Sequence, residues 1–348
     1  MKKKYVVSAC LLGQKCKYNG ESNYNERLDY FQDQSLVVPI CPEVMSGLPT
    51  PRPPAEIKDN FVINNMGEDV TQYYIDGAQK TLSICKQLNI KKAILKERSP
   101  SCGYKQIYDG SFTHTLINGS GVTAQLLKQN GIKVYTEEDT PIYDAVVVCA
   151  GKSTRTHLKT NKVFESSLDS TCIESSVYPF LNDYMCNKVV IVANEDDIKF
   201  IEILFPYTKA IIVKGGNYRE ESVFNGLKKC SSKYVLIHDG ARPYVSENLI
   251  DNIIDKLHSK CAIVPYISQD NASDYSKDGK FIQTPQAYQL DELIKYMNNI
   301  DLSKYRDESS IVSLHQDIEY IEGELTNKKI TDILDVVEWR KHKNEDSL

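Results

Sequence analysis

The chain has 348 residues, more than one domain of ordinary size, and so predicts two domains that each bury a core. Its 47 acidic and 42 basic side chains leave a formal charge of -5, with Lys and Arg scattered rather than gathered in a stripe, which argues against a protein that grips nucleic acid by neutralising phosphates. No apolar run approaches the roughly 20 residues that span a bilayer, and Met1 to Tyr5 lead into a short strand rather than a signal-peptide core, so the reading is a soluble cytoplasmic protein without membrane contact.

In chain order, apolar runs at residues 5–9, 36–40, 92–95 and 132–135 read as strands separated by helical patterns. One such pattern is the stripe Val70, Tyr74, Ala78, Thr81, Cys85 and Leu88, with Asp69 and Gln72 placed to cap it. The polar stretch 136–141 precedes a fresh strand at 144–149, which sets the domains at 1–138 and 142–345. A further strand is read at 234–237, and the charged tail after Trp339 continues a last helix. Strands alternating with helices predict α/β architecture throughout: two Rossmann-like three-layer domains with mainly parallel sheets.

Ten cysteines without a secretion signal read as thiols, metal ligands or small core residues rather than as a disulfide framework. Cys85, on the helical stripe, and Cys149, ending a valine run, read as core. Cys10, Cys41 and Cys102 instead follow the carboxyl ends of the strands at 5–9, 36–40 and 92–95. Those ends share one edge of a parallel sheet, the edge where such folds place ligands, so three thiols distant in sequence converge as a candidate metal site. Cys16, in the loop 13–20, is a fourth ligand or a bystander.

The segments Val7-Ser8-Ala9-Cys10-Leu11-Leu12-Gly13, Cys41-Pro42-Glu43, Gly47-Leu48-Pro49-Thr50-Pro51-Arg52-Pro53-Pro54 and Lys96-Glu97-Arg98-Ser99-Pro100-Ser101-Cys102-Gly103 resemble a family that includes thiouracil desulfidases, over residues 1 to about 137. The resemblance implies a [4Fe-4S] cluster held by Cys10, Cys41 and Cys102, with Cys16 outside the ligand set. Three thiolates leave one iron open to a substrate sulfur, and a thiopyrimidine is the implied small molecule. Glu43, two residues after a ligand, is the expected general acid or base, and Ser101 the residue that orients the substrate. A three-cysteine zinc site is the inorganic alternative.

In the second half, the strand at 144–149 runs into Ala150-Gly151-Lys152-Ser153-Thr154-Arg155, with Lys162 seven residues beyond the arginine. Small residues there let backbone N–H groups approach a triphosphate, and two cations at that separation flank its phosphorus atoms. The loop is not a P-loop, because Val146 stands where the upstream glycine is required. It is followed by Gly215-Gly216-Asn217-Tyr218-Arg219-Glu220-Glu221-Ser222, His238-Asp239-Gly240-Ala241-Arg242-Pro243, Thr284-Pro285-Gln286-Ala287-Tyr288 and Asn327-Lys328-Lys329-Ile330-Thr331.

In that order, from residue 142 to about 340, these segments resemble the methylerythritol-phosphate cytidylyltransferases and their pentitol-phosphate relatives, which implies a nucleotide-diphospho-sugar-transferase-like fold. By that resemblance CTP and a sugar or polyol phosphate are the partners, Mg²⁺ is a cofactor and the protein is a homodimer. Arg155, Lys162 and Lys329 match catalytic phosphate-contacting cations, and Ala150, Gly151, Lys152, Ser153, Gly216, Ser222 and Asp239 match the nucleotide side. The chain departs from the pattern at Ser153, where a glycine is usual, at Asn161 for a proline, at Arg306 for a threonine and at Ser276 for an arginine. This drift favours an alternative in which only the desulfidase acts and the C-terminal fold is a degenerate nucleotide-binding or dimerising module.

Overall fold

The computed structural model describes residues 4–151, 161–167, 170–257, 260–268, 280–298 and 300–345. It forms two compact units, Met1–Thr140 and Pro141–Leu348. Among the described residues no helix is long and apolar enough to cross a membrane.

The first unit has strands β1 (Tyr5–Ser8), β2 (Val37–Ile40), β3 (Ala55–Lys58), β4 (Phe61–Asn64), β5 (Lys92–Leu95), β6 (Gln106–Tyr108), β7 (Leu116–Asn118) and β8 (Lys133–Thr136). Its helices are α1 (Asp29–Asp33), α2 (Pro42–Met45), α3 (Thr71–Gln87) and α4 (Val122–Gln129). The main sheet runs β2-β1-β5-β8, all parallel. The chain leaves β1 toward β2 and later returns to β5 on the other side of β1, so the loops after β1 and β5 diverge and open a crevice between them. Two hairpins, β3–β4 and β6–β7, complete the unit. They were not legible in the sequence, because strands of three or four residues are too short to display a period.

Helix α3 buries Tyr74, Ala78, Thr81 and Cys85 as the stripe predicts, but Leu88 lies past its end and is exposed. The cap also differs. Asp69 Oδ1 accepts the Thr71 N–H from outside the helix, while Gln72 turns along the surface to Asp76. Cys85 joins Val6, Ile40, Ala93, Leu95 and Leu127 in the core.

The strands of the second unit are β9 (Tyr143–Val148), β10 (Ser166–Ser167), β11 (Ser170–Thr171), β12 (Cys186–Ala193), β13 (Ala210–Lys214), β14 (Tyr234–Asp239), β15 (Ala262–Ser268), β16 (Lys280–Ile282), β17 (Gln286–Gln289) and β18 (Glu319–Glu322). Its helices are α5 (Cys172–Leu181), α6 (Ile198–Leu204), α7 (Arg219–Leu227), α8 (Glu247–Leu257), α9 (Leu290–Met297), α10 (Glu308–Val312) and α11 (Ile333–Glu345). The strands β13-β12-β9-β14 are parallel; β17 pairs antiparallel with β14, β15 beyond it runs in the direction of β14 again, and β16 (antiparallel) and β18 (parallel) pair with β15. Central β9 is buried from Tyr143 to Val147, as a near-continuous apolar run in a two-sided parallel sheet requires. The order reverses beside β9, between β12 on one side and β14 on the other, which again opens a crevice at the carboxyl ends.

Candidate functional sites at the two sheet edges

In the first unit a hollow of about 520 Å³ opens at the crevice, and Cys10, Cys41, Cys102 and Glu43 all line it. Cys16 lines it too, and its thiol hydrogen-bonds both Cys10 and Cys41. That bond holds the Cys41 thiol down at about 7 against the opposing effect of burial, and it lowers Cys10 likewise. Burial pushes Cys102 up. The donor set is soft sulfur, carried on loops that follow three separate strands. Such thiols are the ligands of iron-sulfur clusters and of zinc alike. Among the described residues no three His, Cys, Asp or Glu side chains are set to hold a single metal ion.

Glu43 sits in the first turn of α2, where the Pro42 ring starts the helix. Its Oε2 accepts Arg52 Nε at 2.8 Å and the Tyr74 hydroxyl at 3.3 Å. Arg52 also donates to the Cys16 carbonyl at 3.1 Å, tying the thiol-bearing loop to the carboxylate. Sequence reasoning missed Arg52, although the proline-rich motif contains it. Ser101 is placed differently from expectation. It is fully buried and does not line the hollow, because its Oγ lies 2.9 Å from Thr123 Oγ1 on α4. Ser99 takes the nearer place: it lines the hollow, and its Oγ accepts the N–H groups of Ser101 and Cys102.

In the second unit a hollow of about 570 Å³ is lined by Ala150, Gly151, Lys162, Gly216, Ser222, Asp239 and Lys329. Lys152, Ser153, Arg155 and Ser276 lie outside the described residues. Asp239 ends β14 at the centre of a charge network. Its Oδ2 accepts Lys329 Nζ at 2.8 Å, its Oδ1 accepts Arg219 Nε at 3.2 Å, and Arg242 Nε stands 3.6 Å away. Burial alone would raise the Asp239 carboxyl, but Lys329, Arg219 and Arg242 hold it well below the carboxylate range. Arg219 is itself fixed by the buried Glu308, whose two oxygens accept Nη1 at 2.8 and 3.0 Å. Neither Arg219 nor Glu308 was given a role from sequence, since pairing across 89 residues leaves no local signal, and Arg242, three residues after Asp239, was missed although the motif contains it.

Gly216 N–H donates to Ser222 Oγ at 3.0 Å, so Ser222 shapes the glycine turn ahead of α7. The turn is packed tightly, for a Cβ on Gly215 would lie 2.5 Å from Ala150 Cβ. Asn161, the departure from proline, donates to the Cys149 carbonyl at 3.3 Å and to Asp197 at 3.1 Å, which anchors Lys162 to the base of the phosphate loop. Arg306 is exposed.

Residues 143–339 match the family model of 2-C-methyl-D-erythritol 4-phosphate cytidylyltransferase, and residues 5–139 that of 2-thiouracil desulfurase. The second unit is similar to the 2-C-methyl-D-erythritol 4-phosphate cytidylyltransferase of Lachnoclostridium phytofermentans, 33% identical over 218 residues, which are 56% of this chain and 92% of the relative. The first is similar to the uncharacterized protein YbbK of Bacillus subtilis, 44% identical over 144 residues, 38% of this chain and 95% of that one. It is also 44% identical to the solved [4Fe-4S]-dependent thiouracil desulfidase TudS, over 39% of this chain and 92% of the other, with a TM-score of 0.38.

Proposed function

We propose that this chain, which belongs over residues 143–339 to the 2-C-methyl-D-erythritol 4-phosphate cytidylyltransferase family and over residues 5–139 to the 2-thiouracil desulfurase family, transfers CMP from CTP at one site and removes sulfur from a thiopyrimidine at the other. The meeting of Lys162, Lys329 and Asp239 with the Ala150–Gly151 turn in one hollow carries the first half of this reading. A phosphate oxygen of the acceptor attacks the α-phosphorus of CTP, a P–O bond forms, the bond to the β-phosphate breaks and pyrophosphate leaves. Catalysis of this kind needs alignment and charge stabilisation rather than a covalent nucleophile. Lys162, together with Arg155, stabilises charge on the α-phosphate, and Lys329 exchanges its Asp239 partner for phosphate oxygens. One carboxylate facing a phosphate site fits Mg²⁺, which takes few protein ligands; Asp239 would hold it, and the ion would neutralise phosphate oxygens.

At the other site Cys10, Cys41 and Cys102 would hold the [4Fe-4S] cluster, which when bound offers an iron to the substrate sulfur. Water adds to the thiocarbonyl carbon and one of its protons passes to Glu43; the C–S bond then breaks as the new C–O bond becomes a carbonyl, and the sulfur leaves as hydrogen sulfide with the proton returned by Glu43 and the proton of the added hydroxyl, without net oxidation or reduction. Glu43 Oε2 is engaged by Arg52 and Tyr74, so Oε1 is the oxygen that takes the proton.

The transferase is tested by pyrophosphate release from each of the common nucleoside triphosphates against a panel of sugar and polyol phosphates. Release from CTP with 2-C-methyl-D-erythritol 4-phosphate or a close relative is expected. CTP binding without release for any acceptor would instead favour the degenerate module.

A further inference from the structure

Glu97 belongs to the motif that carries Cys102, yet nothing in the chemistry above uses it. It lies just after β5, lines the same hollow as the thiols and is 2% exposed. Its two oxygens are treated unequally. Oε1 accepts three backbone N–H groups, from Tyr104 at 3.2 Å, Lys105 at 3.0 Å and Gln106 at 2.8 Å. Oε2 is buried with no hydrogen-bond partner. A buried carboxylate oxygen without a donor is costly, and such atoms in folded proteins call for a specific explanation. Three donors on Oε1 fix the plane of the group, so Oε2 cannot be satisfied by rotation without losing them.

The rest of the hollow indicates what the missing donor belongs to. Tyr108, Phe112 and His114 of the β6–β7 hairpin line it, and Glu56 Oε2 pins that hairpin by accepting the N–H groups of Gly110 and Phe112, both at 3.0 Å. Aromatic side chains beside a buried acceptor suit a flat heterocycle bearing a ring N–H. We infer that Glu97 Oε2 accepts the ring N–H adjacent to the thiocarbonyl of the substrate, orienting the sulfur toward the cysteines. Glu97 is thereby a substrate-binding residue, and the inference rests on the desulfidase reading.

Glu97→Gln tests it with the full chain carrying its cluster. The three backbone donors hold the amide oxygen at the Oε1 position, which leaves an NH₂ group, a donor, where the substrate N–H arrives. Turnover is compared for 4-thiouracil, in which one N–H flanks the thiocarbonyl, and its N3-methyl analogue; binding of uracil and 3-methyluracil is measured by calorimetry. The wild type should prefer the unmethylated member of each pair by roughly tenfold or more, and the variant should lose that preference while keeping its visible absorption. Glu97→Asp, which keeps the charge and shortens the reach, supplies the same comparison should the glutamine variant fold poorly. A preference retained in both variants overturns the role of Glu97 and leaves the desulfidase standing. A wild-type protein that neither binds uracil nor desulfurises 4-thiouracil overturns both.

Discussion

His238 is fully buried among partners that fit its neutral form. Its Nε2 lies 3.1 Å from the Arg242 carbonyl, which can only accept, so Nε2 carries the proton and Nδ1 accepts from the Thr284 hydroxyl at 3.0 Å. Burial, together with Arg242, lowers its pKa from 6.5 to about 4, against the raising influence of Asp239. The unfolded chain therefore binds more protons than the folded one between these values. Stability from this residue is full above about pH 6.5 and falls by about 3 kcal/mol on acidification to pH 4. Trp339, the single tryptophan, is buried in the second unit, so urea unfolding followed by its fluorescence reports the effect. His238→Gln should flatten the slope between pH 7 and pH 4; an unchanged slope would contradict neutral burial. Single residues were legible where a strand end placed them, as with Asp239 and the three cysteines. Glu308 and Arg52 were not, because their partners are set by tertiary folding.

At the scale of elements, sheet order brings the sites together. The strands carrying Cys10, Cys41 and Asp239 were readable from apolar runs, whereas short hairpins such as β6–β7, which wall the first hollow, were not. Helix α3 shows how packing reaches a site. Gly77 faces α2 so closely that a Cβ would lie 2.2 Å from the Pro42 carbonyl oxygen. Alanine favours a helix interior over glycine by about 1 kcal/mol, but a backbone clash of this size demands movement of α2, at a cost of about 1–3 kcal/mol or more. Pro42 lies between Cys41 and Glu43, so that movement displaces both. Gly77→Ala should destabilise the first unit by about 2 kcal/mol net and reduce visible absorption per chain after anaerobic reconstitution. Absorption and stability equal to the wild type would show that α2 does not set the site.

Across the whole molecule, each unit places its hollow where strand order reverses, the first gathering Cys10, Cys41, Cys102 and Glu43 and the second Lys162, Lys329 and Asp239. The α/β class and the mainly parallel sheets follow from the alternation of apolar runs with helical stripes. That β17 and β16 run antiparallel to the rest of the sheet did not announce itself, since a buried strand reads alike in either direction. The charge network around Asp239 shares its hollow with the altered Asn161. The most direct measurement is the initial rate of pyrophosphate release from CTP by the full chain, compared with that of Lys162→Ala. The variant should be slower by about 10²- to 10³-fold, with Trp339 fluorescence and visible absorption unchanged. An equal rate in the variant would mean that the cation at the sheet edge does not stabilise the transferring phosphate.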